Sequence, residues 1–393
     1  MALTKIQKER QVKVLNAIYT MSPISRIDIS NQTGITPATV SDITGKLIEE
    51  NLIEEIGEDN ESKVKSGRKK ILLTVSNEHS FYAGIEISEK FFAFAICDNN
   101  GKVYAQNICY LKDNQNESLS EFFNHSLEYF LAKHQVYQPK ALGIALPGHF
   151  SEDRNGIQTN NPYWKHFNFE QIPFIFKGAI FYSNNVECMA LSERLFNNFV
   201  RRKNFSFLHV GRGMFCSRIY EGRLYGKDNI LIGEVGHVIV HPDGELCECG
   251  KRGCLQTYAS EAWIIKKSQI LYQNSDSTYL KQLCSSPDSI SVETILKAYL
   301  LGDEGVITIL HNTIKYLAIT INNISMMIDA SQVIIHGQLF ENISLFSLLE
   351  EHVKKNITLL TSERKQTIYL KEYHPINGAV AACSLCVEKL LLN

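Results

Sequence analysis

The stretch GEVGHVIVHPDGELCECGKRGCLQT, residues 233–257, holds one histidine and three cysteines in a short span. They are His237, Cys247, Cys249 and Cys254, with glycines and a proline between them. Zinc prefers four nitrogen or sulfur ligands in a tetrahedron, and a site whose four positions are all filled by the protein is structural. The spacing therefore predicts one structural zinc ion per chain, with free thiols in a cysteine-rich loop as the alternative.

The composition is that of a soluble globular protein. The chain has 393 residues, of which 44% are hydrophobic and 21% charged, enough for two or three domains. Its net charge of -2 gives no indication of nucleic acid or membrane binding. The N-terminal sequence lacks the apolar core of a signal peptide, and no apolar run approaches the ~20 residues of a membrane span. We expect a cytoplasmic protein with no membrane partner, whose ten cysteines are thiols or metal ligands.

Residues 1–76 have the element order of a winged helix-turn-helix domain. The apolar spacing predicts helices over 8–20 and 26–33, and Ser25 is placed to cap the second. After a short glycine turn, Pro37 lies at the first position of a third helix, where its missing N–H has no consequence. The order helix, helix, turn, helix predicts a DNA-binding domain.

The third helix has two different faces. Val40, Ile43 and Leu47 form its predicted buried stripe. The other face is small and polar, which suits close approach to base edges in a major groove. We expect DNA contacts from this helix and its capping residue at Thr36, Ala38, Thr39, Ser41, Asp42 and Lys46.

A wing follows the third helix. Apolar segments at 52–56 and 71–75 predict two short strands, and the loop between them carries Lys63, Lys65, Arg68, Lys69 and Lys70. Of these, Arg68 and Lys69 are the predicted contacts to operator DNA. Residues 1–70 hold 11 Lys and Arg against 10 Asp and Glu, so a helical dimerisation or partner-binding module is the alternative. The order of the elements favours DNA binding.

The rest of the chain alternates strands with helices, which indicates an α/β architecture. We predict a hairpin over 81–110, strands at 141–146, 179–182, 205–210 and 333–335, and helices at 119–134, 303–328 and 378–391. A further helix is expected directly after 183–185. These elements predict a first lobe over 77–185, together with the C-terminal helix at 378–392, and a second lobe over 186–377 that carries the zinc site.

Five motifs carry a resemblance to a known family: Leu146-Pro147-Gly148, Asn184-Asn185, Gly233-Glu234-Val235-Gly236-His237, the cysteine cluster with Gly253-Cys254-Leu255, and Asn377-Gly378-Ala379. Over essentially its whole length the chain resembles the ROK family of repressors, open reading frames and sugar kinases. The resemblance implies an actin-like fold, with two ribonuclease-H-like α/β lobes around a cleft in which family members bind a sugar. The winged helix resembles the repressor branch, which includes xylose- and N-acetylglucosamine-responsive regulators.

Three departures from the kinase branch argue against phosphoryl transfer. Where the kinases read Asp-x-Gly-Gly-Thr, residues 86–90 read Glu-Ile-Ser-Glu-Lys, and Glu89 would repel a polyphosphate. Residues 211–217 read Gly-Arg-Gly-Met-Phe-Cys-Ser in place of a second glycine-rich turn. The kinases carry Asn-Asp where this chain has Asn184-Asn185, and a neutral amide is no general base. We expect a protein that is not an enzyme. The alternative is a sugar kinase with an accessory DNA-binding domain.

Sugar binding is a separate expectation. Side chains with donors and acceptors suit sugar hydroxyls, and the resemblance implies contacts at Asn161, Asn184, Asn185, Glu234, His237 and Gln256. In the family, the position of His237 serves both zinc and sugar, and Gln256 replaces a usual glutamate. Trp164 offers an apolar face for a sugar ring, with a place in the core as the alternative. A pocket that has lost its ligand, or control by a protein partner, are the alternatives. We expect a homodimer or dimer of dimers on a palindromic operator.

Overall fold

The computed structural model describes residues 4–58, 70–77, 79–114, 117–159, 161–197, 204–226, 229–328, 332–355 and 367–393. The chain divides into two units, Met1–Arg201 with Pro375–Asn393, and Arg202–His374. Within the described ranges, no helix combines the length and apolar character that a membrane crossing requires.

The N-terminal part of the first unit is a winged helix-turn-helix domain. Its elements are α1 (Lys5–Met21), β1 (Ile24–Ser25), α2 (Arg26–Thr33), α3 (Pro37–Glu49), β2 (Ile53–Glu58) and β3 (Ile71–Val75). The strands form an antiparallel sheet in the order β1-β3-β2. As predicted, the Ser25 hydroxyl accepts a hydrogen bond from the Asp28 N–H (3.3 Å), and α2 ends at Gly34 with φ of 69°.

Two details of this domain differ from the prediction, and a third prediction is not tested. Thr36 precedes α3, but its hydroxyl bonds the Thr39 hydroxyl (2.9 Å) and caps no backbone N–H. Ile43 is only half-buried, whereas the hydroxyl of the fully buried Thr44 accepts from Arg26 Nε (3.0 Å). The predicted contacts Arg68 and Lys69 lie outside the described residues, together with most of the wing loop.

A five-stranded sheet forms the body of the first unit. Its elements are β4 (Phe81–Ile87), β5 (Phe91–Asp98), β6 (Val103–Tyr110), α4 (Leu119–Lys133), β7 (Ala141–Leu146), β8 (His149–Ser151), β9 (Gly156–Gln158), α5 (Ile172–Ile175), β10 (Ala179–Asn184) and α6 (Asn185–Phe196). The sheet order is β10-β7-β4-β5-β6, parallel on one side of β4 and antiparallel on the other.

The second unit is built on the same strand order. Its elements are β11 (Phe205–Val210), β12 (Met214–Tyr220), β13 (Arg223–Leu224), α7 (Gln256–Ala259), α8 (Glu261–Asn274), α9 (Leu280–Leu283), α10 (Val292–Leu300), α11 (Glu304–Met327), β14 (Gln332–His336), α12 (Ile343–Lys355) and β15 (Thr367–Lys371). Its sheet has the order β13-β12-β11-β14-β15. Written in the opposite direction, β15-β14-β11-β12-β13, this order matches β10-β7-β4-β5-β6 of the first unit, strand for strand. The chain ends with α13 (Asn377–Leu391), which belongs to the first unit.

Helix α13 lies directly on the first sheet and packs against α6, β4 and β7. Glycines in both strands permit this approach, because a Cβ at Gly84 would lie 2.0 Å from Ala379 O and one at Gly143 2.0 Å from Ala382 O. Since α6 packs on α13, it belongs to the first unit. The first unit therefore includes α6 and extends to residue 201, and the lobe boundary at residue 185 stays a prediction.

Candidate ligand site and metal centre

Glu86 is a fully buried carboxyl group near the end of β4. Burial raises the pKa of this carboxyl to about 7, even though the Asn185 side chain and the Gly378 N–H both donate hydrogen bonds to it. The two donors lie at the beginnings of α6 and α13, where helix N–H groups favour a negative charge. Glu86 thus occupies the acidic position with which the kinases' first phosphate motif begins.

Gly378 is required beside this carboxyl for reasons of space. A Cβ at Gly378 would lie 2.1 Å from both Cδ and Oε2 of Glu86. The Glu86–Gly378 contact joins residues from opposite ends of the body, and inspection of the sequence did not predict it. The only signal was that Gly378 lies in a motif that carries the family resemblance and that Glu86 lies in the segment compared with the first kinase motif.

Asn184 and Asn185 lie where β10 passes into α6. Asn184 caps the helix, since its Oδ1 accepts from the Val186 N–H (2.8 Å) and its Nδ2 donates to Gly148 O (3.3 Å). The Oδ1 of Asn185 accepts from the same N–H (2.9 Å), and its side chain donates to Glu86. The structure thus brings these two predicted site residues together with Glu86.

Asn161, the third predicted residue in this unit, is fixed from both ends. Its Oδ1 accepts from the Tyr163 N–H (3.1 Å), and its Nδ2 donates to the Glu89 carboxylate. Glu89 lies in a tight turn in which the Ser88 hydroxyl accepts from the backbone N–H groups of residues 90 (3.3 Å) and 91 (3.1 Å). This turn replaces the glycine pair of the kinase motif.

Trp164 does not offer its ring to a ligand. Its side chain is buried, and its ring packs edge-on against Tyr163 (5.0 Å between centroids) and Phe167 (5.6 Å). The sugar-facing role suggested for this residue is therefore replaced by a role in the core.

The second glycine-rich segment is shorter than the kinase pattern. The turn between β11 and β12 contains Gly211, Arg212 and Gly213, and the Gly211 N–H donates to Gly213 O (3.0 Å). Phe215, Cys216 and Ser217 belong to β12 and are buried. They therefore extend a strand and do not form part of a phosphate-binding loop.

The predicted metal ligands converge in the second unit. One ligand atom from each of His237, Cys247, Cys249 and Cys254 lies within 4.8 Å of all the others. His237 Nδ1 is 3.6 Å from Cys247 Sγ, and Cys249 Sγ is 3.6 Å from Cys254 Sγ. Bonds of about 2.3 Å to sulfur and about 2.0 Å to nitrogen, at tetrahedral angles, would separate such atoms by roughly 3.6–3.8 Å. The cluster therefore fits a tetrahedral ion, and the 3.6 Å sulfur separation excludes a disulfide.

Glycines shape the backbone around this cluster. Gly250 and Gly253 have φ of 85° and 70°, and a Cβ at Gly253 would lie 1.6 Å from His241 O. The Cys247 N–H donates to Lys251 O (2.8 Å) and so closes the turn. Burial and the charge of Lys251 lower the pKa of His237, which keeps its imidazole neutral, the form that binds metal.

Glu234 and Gln256 flank the metal cluster. Glu234 is half-buried, and burial raises its pKa. Gln256 is the first residue of α7 and is buried; a Cβ at Gly236 would lie 3.2 Å from its Oε1. With His237, these residues are the predicted sugar contacts of the second unit, and the other three belong to the first unit.

The predicted DNA face of α3 is accessible. Thr36, Ala38, Ser41, Asp42 and Lys46 are exposed, and Thr39 is half-buried. The opposite face of the helix is held in the domain core by Val40 and Leu47, which are both fully buried. This arrangement leaves one helix face free to enter a groove.

A winged helix-turn-helix domain followed by a body of two matching α/β sheets defines a DNA-binding protein with a sugar-kinase-type body. A family model for winged helix-turn-helix DNA-binding domains matches residues 7–54. The model of the ROK family matches residues 82–389. The chain belongs to the ROK family, and its body has the actin-like fold of that family.

Curated relatives of the chain are regulators. It is 25% identical to the xylose repressor of Bacillus spizizenii over 342 residues, which cover 86% of this chain and 84% of that one. It is 28% identical to the transcriptional dual regulator NagC of Escherichia coli K12 over 348 residues, which cover 84% and 82% of the two chains.

Solved structures show the same fold. A ROK family transcriptional regulator, a homolog of the Escherichia coli MLC protein, matches with a TM-score of 0.73 and 20% identity over 98% of both chains. A ROK family glucokinase from Streptomyces griseus matches with a TM-score of 0.66 and 18% identity, over 78% of this chain and 99% of that one. The regulator structure therefore matches the DNA-binding domain as well as the body.

Proposed function

We propose that this chain is a cytoplasmic transcriptional repressor of carbohydrate-metabolism genes, regulated by a sugar that binds its kinase-like body. The observation that carries the proposal is the combination of an exposed α3 face with a neutral amide, Asn185, that is bonded to the buried Glu86 carboxyl group. The curated regulators, whose alignments cover more than four fifths of this chain, support the proposal. The operator contacts are those on α3 together with Arg68 and Lys69.

The body does not act as a kinase in this proposal. Asn185 stands where the kinases have the aspartate that accepts the sugar hydroxyl proton. Its amide is neutral and already lies between the Val186 N–H and the Glu86 carboxyl group. An amide has no proton-accepting form near neutral pH, so Asn185 cannot perform the general-base step.

The proposed sugar contacts are Asn161, Asn184 and Asn185 on the first unit and Glu234, His237 and Gln256 on the second. Amide groups donate and accept at once, which suits hydroxyl groups. His237 directs Nδ1 toward the cysteines, so its Nε2 on the other edge of the ring is the atom proposed for the sugar. A structural zinc ion at the cluster would hold that ring in place.

The direct test is binding of the purified protein to DNA from upstream of its own gene, in the presence and absence of hexoses, pentoses and amino sugars. We expect one specific complex whose affinity changes with one sugar. A homodimer or dimer of dimers would protect two half-sites that are related by a two-fold axis. Absence of a sequence-specific complex throughout the panel would reject the proposal.

The alternative is a sugar kinase with an accessory DNA-binding domain. The likeness of the body to the glucokinase and the retained acidic residue Glu86 are the observations in its favour. A coupled ATP-consumption assay over the same sugar panel decides between the two. Turnover by the wild-type protein that Asn185→Ala abolishes would establish the kinase.

Control by a protein partner, without any sugar, is the third candidate. Thermal shift separates it from the proposal, because a sugar at ~100 times its dissociation constant stabilises the folded state by roughly 2.7 kcal/mol. No shift with any sugar, together with specific DNA binding, would favour the protein-partner reading.

A further inference from the structure

Arg194 is a buried arginine in the last turn of α6. Its side chain is only 5% exposed, and its guanidinium lies between two other helices. Nη1 donates to Glu388 Oε2 on α13 (3.1 Å), and Nη2 donates to Asn16 Oδ1 on α1 of the winged helix. Burial of a guanidinium is unfavourable unless its donors are satisfied, so these contacts hold it in one place.

The winged helix is packed on the body at this point. Val14 and Ile18 of α1 are fully buried in a cluster that also contains Leu195 of α6 and Val387 of α13. The Tyr19 hydroxyl donates to the carbonyl of residue 99 (3.0 Å), which is a second polar contact between α1 and the body. Because the two domains share one apolar core, a displacement of α6 or α13 would move α1 as well.

The same two helices begin at the ligand site. Helix α6 begins at Asn185 and α13 at Asn377, and Glu86 accepts hydrogen bonds from Asn185 and from Gly378 in their first turns. At 1.5 Å per residue, α6 spans about 18 Å and α13 about 22 Å. Each helix therefore has its first turn at the Glu86 carboxyl group, which Asn185 contacts, and its last turn at the Arg194–Glu388 ion pair.

The charges in the last turns of α6 and α13 favour an ion pair between Arg194 and Glu388. Glu388 lies in the last turn of α13, where the helix dipole disfavours a carboxylate, and Arg194 lies in the last turn of α6, where the dipole favours a cation. Their ion pair therefore couples the two helix ends to each other. Asn16 then connects this pair to the DNA-binding domain.

We propose that Arg194 is the positioning residue that couples occupancy of the site at Asn184 and Asn185 to the orientation of the winged helix. The proposal rests on the proposed function. A ligand that favours one arrangement of the first turns of α6 and α13 would shift Arg194 together with its partners Glu388 and Asn16. By linkage, DNA binding would change the affinity for the ligand by the same factor by which the ligand changes the affinity for DNA.

The test is a double-mutant cycle between Asn185, the first residue of α6, and Asn16 on α1, read as affinity for the upstream DNA fragment without any sugar. Asn185→Ala perturbs the proposed sugar site, and Asn16→Ala removes the contact between Arg194 and α1 of the winged helix. We expect Asn185→Ala to change DNA affinity by about fivefold in the wild-type background and by less than about twofold in Asn16→Ala. Equal effects in both backgrounds would overturn the proposal.

Matched variants separate coupling from folding. Asn16→Asp keeps an oxygen acceptor for Arg194, so the effect of Asn185→Ala should return, and its failure to return in a folded Asn16→Asp protein would contradict coupling through this contact. Arg194→Lys keeps the charge beside Glu388 but cannot reach both partners at once, so it should behave as Asn16→Ala. Glu293→Gln removes an exposed ion pair in the second unit and should leave DNA affinity unchanged.

A second readout does not need DNA. Hydrogen exchange of the Lys5–Met21 amides should be at least about threefold faster in Asn185→Ala than in the wild type, and unchanged rates would overturn the proposal. If the wild type forms no specific DNA complex, the proposed function fails, and the exchange rates alone then decide the coupling.

Discussion

The side chain of Asn185 donates a hydrogen bond to the buried carboxyl group of Glu86. This contact joins the position where the kinases of the family have their catalytic base to the position with which their first phosphate motif begins. In this chain the first position holds Asn185, a neutral amide. The second holds Glu86, which is buried and also accepts a hydrogen bond from the Gly378 N–H at the beginning of α13. The contact therefore joins the beginnings of two helices, α6 and α13, at one buried carboxyl group.

Protonation of Glu86 should make stability depend on pH. Its pKa is about 7 in the folded protein and 4.5 in its ordinary state, so between these values the folded protein binds more protons than the unfolded chain. The contribution of Glu86 to stability is therefore fully present below pH 4.5 and is lost as the pH rises through 7. We expect the wild type to lose on the order of 3 kcal/mol relative to Glu86→Gln between pH 4.5 and pH 8.

Urea unfolding of both proteins at several pH values measures this difference. Comparison with the variant cancels the pH dependence of the metal cluster and of other groups that the two proteins share. A difference between the proteins that stays constant from pH 4.5 to pH 8 would contradict the assignment of this pKa to Glu86.

Gly378→Ala should destabilise the first unit. The new Cβ would lie 2.1 Å from the Glu86 carboxyl group, so either the carboxyl group or the beginning of α13 must move. We expect a loss of about 1–3 kcal/mol in the free energy of unfolding, measured by urea titration. Gly213→Ala is the control, because nothing lies within 4 Å of a Cβ there, and an equal loss in both variants would argue against the clash.

Cys254→Ser should remove the metal ion and destabilise the protein. Elemental analysis of the purified wild type should find one zinc per chain, and the variant should bind less than half as much. Loss of the ion should lower the free energy of unfolding by more than about 2 kcal/mol, because structural zinc binding is coupled to folding. Cys284→Ser changes a half-buried thiol outside the cluster and should keep the ion. A wild-type protein without zinc would refute this site.

Lys46→Ala should weaken operator binding through the loss of one cationic contact from α3. We expect about a tenfold loss of affinity, with a shallower dependence on salt concentration. Fluorescence anisotropy with labelled upstream DNA measures both quantities. Lys297→Ala removes an exposed lysine of the second unit and should change neither, and equal effects of the two variants would argue against a DNA contact at Lys46.

The elements with strong local signals were predicted well. The capping Ser25 and the turn at Gly34 predicted the bounds of α2, and unbroken apolar runs predicted those of β7 and β11. The metal cluster was also predicted, because its four residues are close in sequence and meet through a single glycine-rich loop. In each case the information lies within a few residues of the element.

Contacts between distant residues were not predicted. The sequence shows an acidic residue at 86 and a glycine at 378 but not that they touch, and it does not show that Arg194 joins α1 to α13. The sequence left two roles open for Trp164, an apolar face for a sugar ring or a core residue, and three-dimensional packing shows that it is buried. Helices α8, α10 and α12 were not predicted.

The most direct test of the central claim is a titration of the wild-type protein onto its own upstream DNA, with and without each sugar of the panel. We predict a sequence-specific complex whose dissociation constant changes at least about fivefold, a coupling of roughly 1 kcal/mol, with one sugar and not with the others. The proposed function would be contradicted if, with every sugar of the panel, the protein bound this DNA no more tightly than a scrambled fragment of the same length at the same salt concentration.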